Sequence, residues 1–195
     1  MAWSPCPWVA LVALVVAPVA LVGGLGAGTP PTIISVENGG PWGEWGEPEF
    51  CSKGSHATGF QLKVDPYKGF FGDDTALNGI RLLCSDGGGP TSAEGPRGTW
   101  SAPQSCGPAQ RLVSFRLRVE APRGPWDDTA ANNLAVTCRD GQVLEGQGAS
   151  AGAWGNWSLP CPPGEGVCGL RTRVEPPQRH GDSTALNSVD FFCCP

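Results

Sequence analysis

The sequence predicts an all-β, disulfide-stapled protein made of three copies of one unit, and three observations predict it. A phrase recurs as Asp73-Asp74-Thr75-Ala76-Leu77-Asn78, Asp127-Asp128-Thr129-Ala130-Ala131-Asn132 and Asp182-Ser183-Thr184-Ala185-Leu186-Asn187, its Thr positions 54 and then 55 residues apart. A fixed period of this size within one chain marks a repeat architecture. Apolar residues around each phrase alternate with polar ones, the period of half-buried strands, and no stretch sustains a helical period. Finally, the apolar run after each phrase ends in a cysteine, at Cys84, Cys138 and Cys193.

The first 28 residues carry no charged side chain, and Val9 to Val22 is apolar apart from Pro18. Small residues follow at Gly23, Gly24, Gly26, Ala27 and Gly28. That is the length and shape of a signal-peptide core with its cleavage zone, although no Lys or Arg stands near Met1, and it is too short to span a bilayer. The expectation is a signal peptide over 1–26, cut between about 24 and 28. A single domain over 27–195 follows, with repeats at about 29–87, 88–140 and 141–195. No later apolar run has spanning length, so no membrane span is expected, and the mature chain is expected to be secreted and extracellular.

Cleavage removes Cys6 and leaves Cys51, Cys84, Cys106, Cys138, Cys161, Cys168, Cys193 and Cys194. An even number in a secreted chain implies disulfides. The repeat places three pairs at separations of 33, 32 and 32, predicting Cys51–Cys84, Cys106–Cys138 and Cys161–Cys193 and leaving Cys168 for Cys194. Each loop of that size contributes on the order of 3–4 kcal/mol in the chain-entropy model. A zinc site would need a close cysteine pair followed by a histidine pair, and the chain has two histidines in all. No metal and no cofactor are expected.

A net charge of −5 and a pI near 5.0 argue against a nucleic-acid partner, which calls for a basic field. The 29 glycines and 20 prolines indicate many turns, and six of the eight tryptophans lie beyond the leading segment. The mature length, roughly 170 residues, is enough for one domain with its own core, expected to be a monomer.

In chain order, each repeat opens on a short edge strand, Thr32 to Val36 in the first and Gln142 to Glu145 in the third. A Trp-bearing element comes next: Gly39-Gly40-Pro41-Trp42-Gly43-Glu44-Trp45, the reduced Gly98-Thr99-Trp100, and Gly152-Ala153-Trp154-Gly155-Asn156-Trp157. The first long strand then alternates Phe60, Leu62, Val64; Phe115, Leu117, Val119; and Leu170, Thr172, Val174 with Gln61, Lys63, Arg116, Arg118, Arg171 and Arg173. Prolines 66, 122 and 176 stop it, because proline cannot donate to a ladder. The second long strand carries Ile80, Leu82, Cys84; Leu134, Val136, Cys138; and Val189, Phe191, Cys193. About four strands per repeat predict three four-stranded sheets around a triangular core, with the Lys and Arg face in solvent.

The Gly-Gly-Pro-Trp-Gly-Glu-Trp opening, the Gly-Asp-Asp-Thr-Ala-Leu-Asn-Gly-Ile-Arg-Leu phrase with its two partial echoes, and the terminal Phe-Cys-Cys resemble the vitelline membrane outer layer protein family over nearly the whole mature chain. The resemblance implies a β-prism of three four-stranded Greek-key sheets with pseudo-threefold symmetry, and a secreted structural or glycan-associated protein of an extracellular coat or fluid. It implies glycans or glycoproteins such as mucins as partners, and, as an alternative, a weak chito-oligosaccharide transferase. A jacalin-like lectin, which shares the prism shape, is a further alternative. The second repeat departs from the pattern in lacking a second Trp.

The candidate glycan contacts are Trp45, Trp157, Trp126, Asp73, Asp74, Asp127 and Asp128. Indole faces stack on sugars, and clustered carboxylates and hydroxyls can bind sugar hydroxyls or a cation. A structural turn explains the Asp-Asp-Thr-Ala-x-Asn phrase more simply, with the side chains bonding their own backbone and the Asn taking left-handed geometry. The first Trp of each repeat, Trp42, Trp100 and Trp154, is expected to be a buried ring. No nucleophile elbow or metal-protease motif is present, and no carboxylate pair of the kind glycosidases use can be assigned; the catalytic residues stay unknown. His56 and His180 are expected to be exposed. Asn156-Trp157-Ser158 is an N-glycosylation sequon.

Overall fold

Three antiparallel hairpins carry the fold. They are β4 (Ala57–Val64) with β5 (Leu77–Cys84), β8 (Leu112–Val119) with β9 (Ala131–Cys138), and β12 (Gly166–Val174) with β13 (Leu186–Cys194). The structure, a computed structural model, describes Met1 and residues 30–66, 75–107, 109–121, 131–176 and 185–195. Within 31–195, period-two alternation sends one face of each hairpin inward. Phe60, Leu62, Ile80 and Leu82 meet Phe115, Leu117 and Leu134, and these meet Leu170, Val189 and Phe191, all fully buried. The Phe115 and Phe191 rings lie 4.6 Å apart, joining two sheets across the axis. Burying each such side chain contributes about 1.5–3 kcal/mol.

Among the described residues, one position of the inward alternation is polar. Thr172 takes the place that Leu62 and Leu117 hold in the other hairpins, and it is fully buried. Its hydroxyl donates to the Ala93 carbonyl and its N–H to Ser92 Oγ, so the hydroxyl enters the core with a partner.

Each sheet draws on two repeats. The β8–β9 hairpin gains β10 (Val143–Glu145) beside β9 and β11 (Ala153–Trp154) beside β8, both from the third repeat. The order β10-β9-β8-β11 is a Greek key. The β4–β5 hairpin gains β6 (Thr99–Trp100) and β7 (Gln104–Ser105), both beside β4. The position beyond β5 is held by Pro90, whose carbonyl accepts the Leu82 N–H at 3.0 Å. The last hairpin is completed by strands of the first repeat, β1 (Thr32–Ile34) on β13, and β2 (Glu44–Trp45) and β3 (Glu49–Phe50) on β12. The result is a disulfide-stapled β-prism with pseudo-threefold symmetry, closed by pairing its first strands with its last hairpin.

Both ends of the prism repeat a device. At one end, a register shift leaves Asn78, Asn132 and Asn187 as the bulged residue of each hairpin, all fully buried. At the other end, Cys51–Cys84, Cys106–Cys138 and Cys161–Cys193 join residues of neighbouring sheets, with Cα–Cα distances of 5.7, 5.8 and 5.6 Å. A fourth bridge, Cys168–Cys194, lies inside the last hairpin.

Candidate functional site

With no helix among the described residues, the outer faces of the sheets are left to side chains. On each sheet the Trp-bearing edge strand lies against the first hairpin strand, pairing Trp45 with Arg173, Trp100 with Lys63 and Trp154 with Arg118. A glycine two residues before each Trp permits this approach. Gly43, Gly98 and Gly152 have φ of 85°, 86° and 75°, and a Cβ there would meet the backbone of Val174, Val64 and Val119 within 2.6 Å. No other residue fits both requirements.

A guanidinium then covers each indole. Arg171 sits over Trp45 at 4.7 Å, Arg81 over Trp100 at 4.0 Å, and Arg116 over both Trp154 and Trp157 at 4.7 Å. Such stacking contributes about 0.5–2 kcal/mol according to its desolvation. Trp45 and Trp157 both keep 38% of their surface exposed. Each therefore has an indole that is anchored by an arginine and still open to solvent. The charges differ between sheets. Arg171 is neutralised by Asp190, at 2.9 Å from Nε and 2.7 Å from Nη2, and Ser35 donates to the other Asp190 oxygen at 2.6 Å.

The repeated phrase behaves as a turn where it is described. Asn78 donates to Thr75 Oγ1 at 2.6 Å, Thr75 donates to the buried Asp65 at 3.2 Å, and Asn78 Oδ1 accepts from the Arg97 N–H at 3.3 Å. The left-handed residue is not the Asn. Ala76 and Ala185 hold φ of 47° and 48°, and Asn78 and Asn187 lie in strands. Cross-strand bonds set this geometry: the Ala76 and Ala185 carbonyls accept from the Asp65 and Glu175 N–H groups. Trp126, Asp73, Asp74, Asp127 and Asp128 lie outside the described residues.

Two expectations about exposure are corrected. Trp42 is 56% exposed, and Trp100 and Trp154 are half-buried under arginines, so no described first Trp is a buried core ring. The inner face is already filled by Phe and Leu, which leaves the indoles the outer face. His56 is 5% exposed, with Nε2 at 3.1 Å from the Cys194 carbonyl oxygen and 3.2 Å from Arg111 Nη1. The strand pairing of the chain's last residues encloses it, which its turn-rich surroundings gave no hint of. His180 lies outside the described residues. In the sequon Asn156 is exposed, whereas Ser158 is buried, accepting from the Phe115 N–H at 3.1 Å and donating to the Leu159 carbonyl at 2.9 Å.

The missed signal was in the sequence. Equivalent tryptophans are Trp45, Trp100 and Trp154, marked by Gly-x-Trp at 43–45, 98–100 and 152–154. The second repeat has therefore lost no equivalent indole. The additional Trp42, which precedes Gly43, obscures this period in the sequence. Among the described residues no group of three or more His, Cys, Asp or Glu could hold a metal ion, and no helix is long and apolar enough to cross a membrane.

Fold and surface together define a β-prism protein with aromatic, arginine-backed outer faces. Comparison with solved structures agrees on the fold. Calystegia sepium agglutinin superposes with a TM-score of 0.56 at 11% identity, covering 85% of this chain and 97% of the agglutinin. A mannose-specific jacalin-related lectin from Morus nigra, solved in complex with mannose, gives 0.55 at 15%, covering 87% and 97%. The chain belongs to the vitelline membrane outer layer protein I family, whose model matches residues 32–195. It is 51% identical over 168 residues to the human vitelline membrane outer layer protein 1 homolog, covering 83% of this chain and 82% of the human protein. To the mouse homolog it is 47% identical over 169 residues, covering 84% and 83%.

Proposed function

We propose that the chain is a secreted, glycan-associated protein of an extracellular coat or fluid, and that its outer sheet faces contact sugars through Trp45 and Trp157. The observation that carries this reading is that each of these indoles is held by an arginine with 38% of its surface exposed. A fixed, half-open aromatic ring suits the apolar face of a sugar. The family name supports a place in an extracellular layer, and the lectins of the same fold, one of them solved with mannose, support carbohydrate as the ligand class. Four disulfides are the chemistry of an oxidising compartment. Residues 1–26 serve as the export signal in this reading.

The test is a glycan array probed with the secreted chain, followed by Trp45→Ala and Trp157→Ala. Retention of defined glycans, weakened at least about tenfold by one of the substitutions while the melting temperature holds, is expected. Retention of no glycan overturns the reading. N-terminal sequencing of the secreted chain checks the cut; a chain still beginning at Met1 removes the signal peptide.

A further inference from the structure

We infer that Arg116 is the anion-reading element of a site on the outer face of the β8–β9 sheet, and that its ligand is an acidic glycan bound through a sugar carboxylate or sulfate. This rests on the glycan reading above and names the substrate class for one face. The three sheets share a register, so their differences can be read directly. In the last sheet Arg171 lies opposite Asp190, and the carboxylate holds the guanidinium by its rim. In the β8–β9 sheet Arg116 lies opposite Ala135. The carboxylate that completes one sheet is a methyl group in the other.

Nothing else among the described residues replaces it. Arg116 forms no hydrogen bond or ion pair with them, and its buried Nε has no partner. The neighbouring Arg118 donates Nε to the Gly152 carbonyl, as its counterpart Arg173 in the last sheet does to that of Gly43. Glu145, opposite Ala135 on the far side, is exposed and makes no ion pair with Arg116. A buried guanidinium N–H without an acceptor is costly, and a carboxylate or sulfate matches its planar fork in two parallel hydrogen bonds.

The surroundings select a sugar as the carrier of that charge. The guanidinium stacks over Trp154 and Trp157, which hold it in place, and the half-exposed Trp157 offers a ring beside it. An oxyanion on the guanidinium rim would stand where Asp190 stands in the last sheet, and the attached sugar would lie along the indole. Asn156 and Trp157 together fill the two positions between the Gly155 and Ser158 N–H groups, which bond Leu117 and Phe115. The equivalent of Trp157 is Pro48 in the first repeat and Pro103 in the second, so only this sheet has a second indole there.

The experiment measures binding of sialyllactose, sulfated N-acetyllactosamine and the two uncharged parent sugars by calorimetry and tryptophan fluorescence at low and high salt. One or both acidic sugars are expected to bind more tightly than their parents, with an affinity that falls as salt rises; which one binds separates carboxylate from sulfate. Arg116→Gln is expected to weaken this at least about tenfold, the loss of a charged hydrogen-bonding partner. Ala135→Asp, which supplies the carboxylate internally as Asp190 does, is expected to weaken it as much. Equal binding of acidic and neutral sugars by the unmodified chain needs no variant and overturns the inference while leaving the glycan reading intact. Undiminished acidic-sugar binding in a folded Arg116→Gln protein also overturns it. Binding of no sugar of any kind overturns both.

Discussion

Cys51 and Cys84 belong to different sheets. Cys51 follows β3 on the last sheet, its N–H bonded to the Cys168 carbonyl, and Cys84 ends β5 on the first; their Cα atoms are 5.7 Å apart. The other two repeat-related bridges do the same around the prism, so every seam between sheets carries one disulfide at the same end. In a unit whose sheets meet chiefly through packed Phe and Leu, with a few side-chain hydrogen bonds such as those of His56 and Thr172, a seam bridge ties strands of neighbouring sheets together covalently.

Replacing both Cys106 and Cys138 by Ser should therefore cost about 3–4 kcal/mol, the chain-entropy value for a loop of this length. Guanidinium unfolding of the double variant measures it. A loss below about 1 kcal/mol would mean that packing alone holds that seam.

Gly98→Ala should be markedly worse than Gly87→Ala. Both glycines have φ near 87°, 86° and 88° respectively, so both variants suffer left-handed strain. A Cβ on Gly98 would also meet the Val64 carbonyl carbon at 2.5 Å, whereas one on Gly87 meets nothing within 4 Å. About 1 kcal/mol is expected for Gly87→Ala and at least about 2 for Gly98→Ala. Equal melting temperatures would show that the edge strand simply moves away.

Asn78→Ala should destabilise by about 1–3 kcal/mol, because it removes a buried amide that donates to the Thr75 hydroxyl and accepts from the Arg97 N–H. Adding Thr75→Val to it should cost less than the sum of the two single changes, since both sever one network. Additive losses in a denaturant-based double-mutant cycle would show that the two side chains act separately.

Asp86 is held below the ordinary aspartate range, first by the Ser52 side-chain hydrogen bond and then by the Gly88 N–H. A carboxylate whose pKa is lowered on folding favours the folded state at pH above its unfolded value, and this contribution is lost as pH falls through the folded value. Ser52→Ala should raise the Asp86 midpoint toward the ordinary value in a carboxyl NMR titration. An unmoved midpoint would assign the effect to the turn backbone alone.

Much of this was legible in residues. Phe60, Leu62, Ile80 and Leu82 announce an inward face by alternation, and the 33-, 32- and 32-residue cysteine spacings follow the repeat. The tryptophans were less legible. An indole is both a core filler and a surface ring, and sequence places Trp45, Trp100 and Trp154 only once Gly43, Gly98 and Gly152 are recognised as the register marks. His56 could not be placed, since the Cys194 carbonyl that faces it is 138 residues away.

By itself the sequence determined the strand content, the threefold period and the inward faces, because alternation and repetition are local properties that no distant contact rewrites. Tertiary structure decided which strands share a sheet. The Trp-bearing strands of the second and third repeats join the hairpin of the preceding repeat, and β1, β2 and β3 close the circle on β12 and β13. That pairing is long-range hydrogen bonding between segments whose local patterns are alike, so only the closed prism tells them apart. It also decided that Arg171 meets Asp190 while Arg116 meets Ala135, a difference that cross-strand register alone creates.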